Sequence, residues 1–335
     1  MKRLTIIALI LLLAGVLTAA GFWQRYQQFM QTAMQIPAGG SVFVVQQGAN
    51  AGTVVKQLEA SGITRMDWRW RVLNRLEPVT IRTGEYALQP DMTPSQLLAL
   101  LASGKVITYK FTIVEGWTVR QLIQALDNEQ VLVHSLIGAA GLTALPGLRG
   151  DNPEGWFLPE TYLFVRGDTD LQILQRAYSA MQEVLDHTWN RRDGGLPFET
   201  RQELLTMASI IEKETSMESE RAAIAGVFVR RLQQHWRLET DPTVIYGMGD
   251  SYDGNIRRKD LKQDTVYNTY TRRGLPPTPI ALPGKASLIA AAHPADGEAM
   301  FFVADGSGGH KFSSTLDEHN QAVRQLLKAA TPDPD

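Results

Sequence analysis

The segment MASIIEKETSMESERAAIAGVF, Met207–Phe228, joins two apolar stretches through a polar bend. Apolar residues recur at helical spacing over 204–211, and a second apolar stripe begins at Ile224. The residues TSMES interrupt the pattern between them, and Ser219 is of a type that often caps the start of a helix. We therefore predict helical structure over 200–234, broken just after Glu214.

Four glutamates lie close together in this segment, namely Glu212, Glu214, Glu218 and Glu220. Helical periodicity places Glu212 and Glu214 on opposite edges of the apolar face, so both fit solvated edge residues. Glu214 differs because it ends a buried helix beside a bend, where the partial negative charge of the helix terminus raises the pKa of a carboxyl group. A general acid needs such a raised pKa. Glu218 and Glu220 occupy the bend and the next first turn, where acidic residues are common.

Composition excludes several classes of function. The chain has 335 residues, of which 44% are hydrophobic and 20% charged, as expected for globular protein with two domains or one large domain. The net charge is −2 without a basic cluster, so nucleic acid is not an expected partner. Cysteine is absent, which excludes disulfides and thiolate chemistry. His293, His310 and His319 follow no compact metal-binding spacing, so we predict neither a metal nor a cofactor.

The N-terminus predicts a membrane anchor. Lys2 and Arg3 precede the uncharged stretch LTIIALILLLAGVLTAAGFW, Leu4–Trp23, which is long enough to cross a bilayer as one helix. The basic pair favours a cytoplasmic N-terminus and export of the remainder. A cleaved signal peptide ending near LTAAG is the alternative, although its apolar region would normally be shorter. We predict an anchor over 1–23 and a polar stalk over 24–40.

The rest of the chain predicts an α+β fold. A strand–turn–helix pattern recurs three times, with helices starting near Thr53, Thr93 and Thr118. The first two repeats, 41–105, form a small α+β module, and 106–330 forms a larger mixed α+β domain. Within that domain we predict a helix over 170–190, strands at AMFFVAD and KFSS, and a final helix over 315–330. A stretch rich in Gly, Pro, Asn, Asp and Thr covers 236–313, and so long a loop-rich stretch is usually functional.

Six motifs follow one another along the chain. They are EGWFLPETY (Glu154–Tyr162), ASIIEKET (Ala208–Thr215), ETDPTVIYGMG (Glu239–Gly249), YNTYTRRGLPPTPI (Tyr267–Ile280), AAAHPA (Ala290–Ala295) and FFVADGSGGHKF (Phe301–Phe312). In this order they resemble the endolytic murein transglycosylase family, often called MltG or YceG-like. The resemblance covers nearly the whole chain. Two positions depart from the expected pattern, Glu239 where we expect Gln and Thr278 where we expect Gly.

The resemblance implies a function. Members of the family cleave the β-1,4 bond between N-acetylmuramic acid and N-acetylglucosamine within glycan strands and leave a 1,6-anhydro end. Their catalytic acid matches the second glutamate of EKET, which is Glu214. The resemblance also implies a LysM-like module over 41–105, a catalytic domain over 106–330 in the periplasm, and a single pass through the inner membrane by residues 4–23. Peptidoglycan strands are the implied substrate, and peptidoglycan synthases are candidate partners.

A saccharide groove needs hydrogen-bonding groups and rings on which sugars stack. The candidates from the sequence are Thr215, Asp241, Tyr267, Asn268, Thr269 and Tyr270. Each also has a structural interpretation, because Asp241 can cap a turn and the tyrosines can belong to the core. Two alternatives to a transglycosylase stay open: a membrane-anchored glycan-binding scaffold without catalysis, and a hydrolase that uses Asp241 as a second carboxylate.

Overall fold

A computed structural model of the protein describes residues 2–46, 48–135, 142 and 152–330. The chain packs as two units, unit 1 with Met1–Tyr109 and Phe164–Gly167, and unit 2 with Lys110–Leu163 and Asp168–Asp335. Helices and strands alternate in both, which confirms the predicted mixed α+β fold. Within the described residues, the strands form three two-stranded sheets.

The apolar N-terminal segment is one helix, α1 (Lys2–Gln31), which is long and apolar enough to cross a membrane. Its side chains are exposed as far as Arg25, whereas Tyr26, Phe29 and Met30 are buried in the core of unit 1. The stalk predicted over 24–40 therefore differs from the structure, which is helical as far as Gln31. The reason is the spacing of these three side chains, which lines up one face of the helix toward the core.

Unit 1 packs α1 against two strands and three short helices. After α1 come β1 (Ser41–Val45), α2 (Ala51–Ala60), α3 (Trp68–Leu76), β2 (Gly84–Leu88) and α4 (Pro94–Ser103). β1 and β2 are antiparallel, in a register from Ser41 opposite Leu88 to Val45 opposite Gly84.

Local capping explains where the helices of unit 1 begin. Thr93 forms a capping box with Gln96 ahead of Pro94, as the sequence predicts. The predicted start of α2 near Thr53 is slightly late, because the side chain of Asn50 accepts the Thr53 N–H and starts the helix at Ala51.

Unit 2 is mainly helical. Strands β3 and β4 pair with each other and belong to unit 2 except for Tyr109 and Phe164. The elements in chain order are β3 (Tyr109–Thr112), α5 (Val119–Asp127), β4 (Thr161–Phe164), α6 (Asp170–Asn190), α7 (Arg201–Glu214), α8 (Glu218–Gln233), α9 (Asp241–Met248), α10 (Arg258–Lys262), α11 (Lys285–Ala292), β5 (Phe301–Ala304), β6 (His310–Ser313) and α12 (Leu316–Ala330). The predictions of α6, β5, β6 and α12 are confirmed, as is Thr118 as the cap of α5. β5 and β6 are antiparallel.

Helix α7 lies at the centre of unit 2 and packs against α6, α8, α9 and α11. All its residues from Leu204 to Ile211 are buried, including the polar residues Thr206 and Ser209. The Ser209 hydroxyl accepts the Ile280 N–H at 3.0 Å and donates to the Thr206 carbonyl at 2.7 Å. These hydrogen bonds compensate the burial of the Ser209 hydroxyl. Helix α7 is enclosed on all sides between Leu204 and Ile211.

The predicted end of the helix at Glu214 is confirmed, but Ser219 is not the N-cap of the next helix. Helix α8 begins at Glu218, and Met217 is its N-cap without a side-chain hydrogen bond. The Thr215 hydroxyl instead accepts the Met217 N–H at 3.0 Å. Thr215 itself has extended backbone angles, so the chain turns sharply between α7 and α8.

Candidate active site

Glu214 is the last residue of α7 and lies at a corner of fixed geometry. The core position of α7 fixes its backbone, and the extended Thr215 directs the chain away immediately after it. Thr240, which precedes α9, donates a hydrogen bond from its hydroxyl to Glu214 Oε1. The carboxyl group is therefore held from two parts of the chain that are far apart in sequence.

The environment of Glu214 raises its pKa. Burial is the main cause, because a charged carboxylate loses hydration in the protein interior, and the negative charge of Asp241 acts in the same direction. The Thr240 hydrogen bond and the nearby His310 and Arg231 oppose the shift but do not cancel it. Glu214 is thus the kind of carboxyl group that holds a proton at higher pH than an ordinary glutamate.

Two cavities meet at Glu214. A cavity of about 250 Å³ is lined by Glu214, Arg231, Leu238, Glu239, Thr240, Asp241, Tyr270, Phe302, Val303, Ala304 and His310. A second cavity of about 410 Å³ is lined by Glu115, Gly116, Glu212, Lys213, Glu214, Thr215, Ser216 and Arg221. Glu214 belongs to both walls. An extended ligand could therefore place one residue in each cavity and its connecting bond beside Glu214.

Asp241 and Tyr270 lie together at the smaller cavity. The Tyr270 hydroxyl donates to Asp241 Oδ1 at 2.7 Å, and burial with this hydrogen bond raises the pKa of Tyr270. Asp241 is exposed in the first turn of α9. Of the residues predicted from sequence, the structure brings Thr215, Asp241 and Tyr270 to the cavities that Glu214 lines.

The other three predicted residues, Tyr267, Asn268 and Thr269, line neither of these two cavities and form hydrogen bonds within the fold. Asn268 is buried and donates to the carbonyls of Asp260, Leu261 and Gln263. Thr269 is also buried, and its hydroxyl accepts the Thr240 N–H at 3.1 Å. The Tyr267 hydroxyl lies 2.9 Å from the Thr278 hydroxyl. These contacts hold the segments that carry Thr240 and Tyr270.

Glu212, the other edge residue of α7, is engaged on three sides. Its side chain is 6% exposed, and Oε2 accepts the Gly284 N–H at 2.9 Å and the Ser287 hydroxyl at 2.7 Å. Arg221 Nη2 lies 3.4 Å from the other oxygen, Oε1. Glu212 therefore joins α7, α8 and α11, which distinguishes it from Glu214.

Comparisons with known proteins identify the family of this chain. A model of the YceG-like family matches residues 43–325. The chain belongs to the YceG-like family. A protein of Bacillus subtilis (strain 168) named endolytic murein transglycosylase is 31% identical over 267 residues, which cover 74% of each chain.

Two further relatives extend the comparison. A protein of the same name from Streptococcus pneumoniae serotype 2 (strain D39) is 25% identical over 353 aligned residues, which cover 93% of this chain and 64% of that protein. This YceG-like chain thus spans less than two thirds of the pneumococcal relative. The crystal structure of a yceG-like protein from Listeria monocytogenes is 27% identical with a TM-score of 0.50, and the match covers 84% of this chain and 98% of that one.

Several residues of this YceG-like site were not predicted from sequence. Arg231 is buried and donates to the carbonyls of Met300 and Leu238, each at 2.8 Å. Glu239 has a left-handed backbone with φ of 52°, which is unusual for a residue with a side chain, and its carboxylate lies 3.7 Å from Arg231. Of these two residues, only Glu239 could be noticed in the sequence, because it departs from the family pattern.

His310 is a further unpredicted group at the cavity. Its Nδ1 lies 2.7 Å from Glu220 Oε2, and its backbone N–H donates to the other oxygen of Glu220 at 2.8 Å. Glu220 therefore orients His310, beyond its position in the first turn of α8. In the parts of the chain that the structure describes, no group of three His, Asp or Glu side chains is placed to hold a metal ion.

Glu154 is a second carboxyl group with a raised pKa. It is 4% exposed, accepts the Val119 N–H at 2.9 Å and the Tyr246 hydroxyl at 3.1 Å, and comes from the motif EGWFLPETY. Burial raises its pKa to about 7. Its partners tie α5 to α9, so it is an interior residue of unit 2.

Proposed function

We propose that this chain is an endolytic murein transglycosylase with Glu214 as its single acid and base. Its YceG-like relatives from Bacillus and Streptococcus carry that name. The observation that carries the assignment of the residue is the raised pKa of a carboxyl group that lines two cavities at once. The proposed substrate is a peptidoglycan glycan strand, cut at the β-1,4 bond between N-acetylmuramic acid and N-acetylglucosamine.

The first step is proton donation. Protonated Glu214 gives its proton to the glycosidic oxygen, the bond from that oxygen to C1 of the muramic sugar breaks, and positive charge develops at C1. The negative charge of Asp241, which contributes to the raised pKa of Glu214, has the sign that stabilises this positive charge. The N-acetylglucosamine residue leaves with a new hydroxyl group.

The second step closes a ring. The Glu214 carboxylate takes the proton of the C6 hydroxyl of the same muramic sugar, whose oxygen attacks C1 and forms the 1,6-anhydro product. Because this nucleophile belongs to the substrate, no water molecule has to be positioned, and its effective concentration is high. Glu214 ends the cycle protonated, ready for the next cut.

Cleavage within a strand requires space for sugars on both sides of the bond. The two cavities that share Glu214 support such an arrangement, with the leaving sugar in one and the muramic sugar in the other. Tyr270 and Asp241 offer a ring and a carboxylate to the sugar in the smaller cavity. Thr215 lines the larger cavity, and Tyr267, Asn268 and Thr269 support the wall from behind.

Hydrolysis is the second candidate, because Asp241 lies at the same cavity as Glu214 and could activate water. Mass spectrometry of purified sacculi digested by the full chain separates the two reactions. We expect muropeptides with anhydro ends, lost in Glu214→Gln and retained in Glu218→Gln, a control at an exposed glutamate four residues away. Hydrated reducing ends that disappear in Asp241→Asn would instead establish hydrolysis. A wild-type chain that binds strands without cutting them would indicate the scaffold.

The proposal also covers the location of the protein. We propose that residues 4–23 of α1 cross the inner membrane once, with unit 2 in the periplasm, which follows from the basic pair Lys2–Arg3 before the apolar stretch. We further propose that 41–105 is a LysM-like glycan-binding module, and that peptidoglycan synthases are partners. Membrane fractionation with protease protection tests the topology, because digestion only from the periplasmic side is the expected result.

A further inference from the structure

The change from exposed to buried side chains occurs within one turn of α1. Phe22 and Trp23 are more than half exposed, whereas Tyr26 is 3% exposed and Phe29 is 8% exposed. A helix rises 1.5 Å per residue, so the core of unit 1 begins roughly 5 Å beyond Trp23. No non-helical residue separates the two parts of α1 over Lys2–Gln31. The surface of unit 1 beside Trp23 therefore lies at the edge of the apolar segment.

Helix α3 occupies this surface. The Trp68 ring at its first position packs edge-to-face on Phe22, with ring centroids 5.3 Å apart. Trp70 and Leu73 are buried on one face of α3, and Trp68, Arg71 and Arg75 are exposed on the opposite face. At 100° per residue, those three side chains lie within about 60° of one another. We call Trp68, Arg71 and Arg75 the outer face of α3.

The outer face carries positive charge without internal partners. Among the described residues, neither Arg71 nor Arg75 forms an ion pair or a side-chain hydrogen bond, and the same holds for Arg25 and Arg65 nearby. Arg25, Arg65 and Trp68 line a cavity of about 1040 Å³ beside α1.

The acidic residues of that cavity are already engaged. Asp67 is paired with Arg69, and Glu59 Oε1 accepts the Met66 N–H at 3.0 Å. An anionic ligand at this surface would therefore meet arginines that have no competing internal partner.

We propose that the outer face of α3, with Arg25 and Arg65, binds the anionic phospholipid headgroups of the leaflet from which α1 emerges. The inference rests on the membrane anchoring proposed above and adds a second contact with the bilayer. Tryptophan is enriched at the level of the headgroups, and arginines near a surface of anionic lipid are attracted to its phosphates. Trp68 contacts the anchor at that level, and Arg71 and Arg75 share its helical face. Unit 1 thus lies against the membrane.

The absence of cysteine makes the proposal directly measurable, because a single introduced cysteine carries the only label. The full chain with Leu12→Cys reports on the anchor, Leu76→Cys on the end of α3 next to the outer face, and Lys105→Cys on the end of α4 remote from the cavity. Pro94 at the start of α4 lines the cavity, and the helix extends about 15 Å from there. Each variant receives a fluorophore and is reconstituted into phosphatidylcholine vesicles with or without phosphatidylglycerol.

Quenchers on the lipid acyl chain or on the headgroup then measure position. We expect acyl-chain quenching at position 12 in both vesicles, headgroup quenching at position 76 that increases with phosphatidylglycerol, and none at position 105. The double variant Arg71→Glu with Arg75→Glu should lower the ratio of docked to undocked chains at least fivefold for each arginine replaced. That factor is about the contribution of one basic residue near an anionic surface. Arg71→Lys with Arg75→Lys should retain docking.

The outcomes separate this inference from the anchoring. Quenching at position 12 without quenching at position 76 overturns the docking and leaves the anchor in place. No quenching at position 12 overturns both. Quenching at position 76 that ignores phosphatidylglycerol and the Glu variants overturns the role of anionic headgroups. An unchanged unfolding midpoint in detergent verifies that the charge-reversed chain is folded.

Discussion

The hydroxyl of Thr240 donates a hydrogen bond to the carboxyl group of Glu214, and the backbone N–H of Thr240 donates to the hydroxyl of Thr269. Thr269 in turn lies 2.9 Å from the hydroxyl of Thr243 in α9. Three buried threonines therefore connect the proposed catalytic carboxyl group to the loop-rich part of unit 2. The consequence is that Thr243 and Thr269, which line neither cavity beside Glu214, can influence its proton affinity through Thr240.

Replacing Thr240 by valine should move the pH dependence of cleavage upward. The hydrogen bond from Thr240 lowers the pKa of Glu214, so its loss raises that pKa further. The acid must be protonated, and activity is lost as pH rises through its pKa. A hydrogen bond to a charged group contributes on the order of 1.5 kcal/mol, so the alkaline limb should shift upward by about one pH unit. Thr240→Ser should keep the wild-type profile, and a downward shift in the valine variant would contradict the assignment.

Glu212→Gln should affect stability rather than chemistry. Glu212 accepts hydrogen bonds from Gly284 and Ser287 and faces Arg221, and glutamine offers fewer acceptors. We expect a loss of about 2 kcal/mol in the free energy of unfolding, with anhydro-product formation per folded molecule largely retained. Denaturant titration in detergent and product counting measure the two effects. If Glu212→Gln abolished cleavage while Glu214→Gln did not, the roles of the two residues would be reversed.

Glu154 should make unit 2 less stable as pH rises from about 4.5 to 7. Burial raises the pKa of Glu154 from its ordinary 4.5 to about 7, so the folded state holds a proton that the unfolded state has lost. The stabilisation is complete below the unfolded pKa and is lost as pH rises through the folded pKa. The full change is about 3 kcal/mol. The stability of Glu154→Gln should fall less than that of the wild type across this pH range, by the share that Glu154 contributes. Parallel curves for both chains would refute the prediction.

Gly226→Ala should destabilise the packing of α8. A Cβ atom at Gly226 would lie 2.4 Å from the carbonyl oxygen of Ala295, a backbone atom that cannot move aside easily. We expect a loss of about 1–3 kcal/mol, the usual effect of overpacking. Gly194→Ala is the matched control, because in the described part of the chain an added Cβ there meets no heavy atom within 4 Å. Equal unfolding midpoints for both variants would contradict the prediction.

Local signals in the sequence predicted many element boundaries correctly. Thr93 and Thr118 start α4 and α5 because each forms a capping box with a glutamine three residues later, which is a short-range interaction. Helices α9 and α11 were missed in the loop-rich stretch because they are short and surrounded by Gly and Pro. Each depends on contact with α7, which periodicity along the chain cannot reveal.

The residues of the candidate site also fall into those that the sequence predicted and those that only the fold brings together. Glu214 was predicted from the family resemblance together with its place at the end of a buried helix, whereas Arg231, Thr240 and His310 approach it from three other segments. Tyr267, Asn268 and Thr269 were selected for their chemistry, and their hydrogen bonds within the fold could not be anticipated from residue type. The roles of all these residues in substrate binding stay predictions.

Helix α1 is uninterrupted from Lys2 to Gln31, so the orientation of its apolar part is coupled to the orientation of unit 1. Because the helix that enters the core of unit 1 is the one proposed to cross the bilayer, any tilt of the anchor rotates unit 1 by the same angle. Transmembrane helices tilt in response to a mismatch between their apolar length and the thickness of the bilayer. Lipid composition sets the thickness of the bilayer. A change in thickness would therefore change the tilt of α1 and, with it, the orientation of unit 1 relative to the membrane.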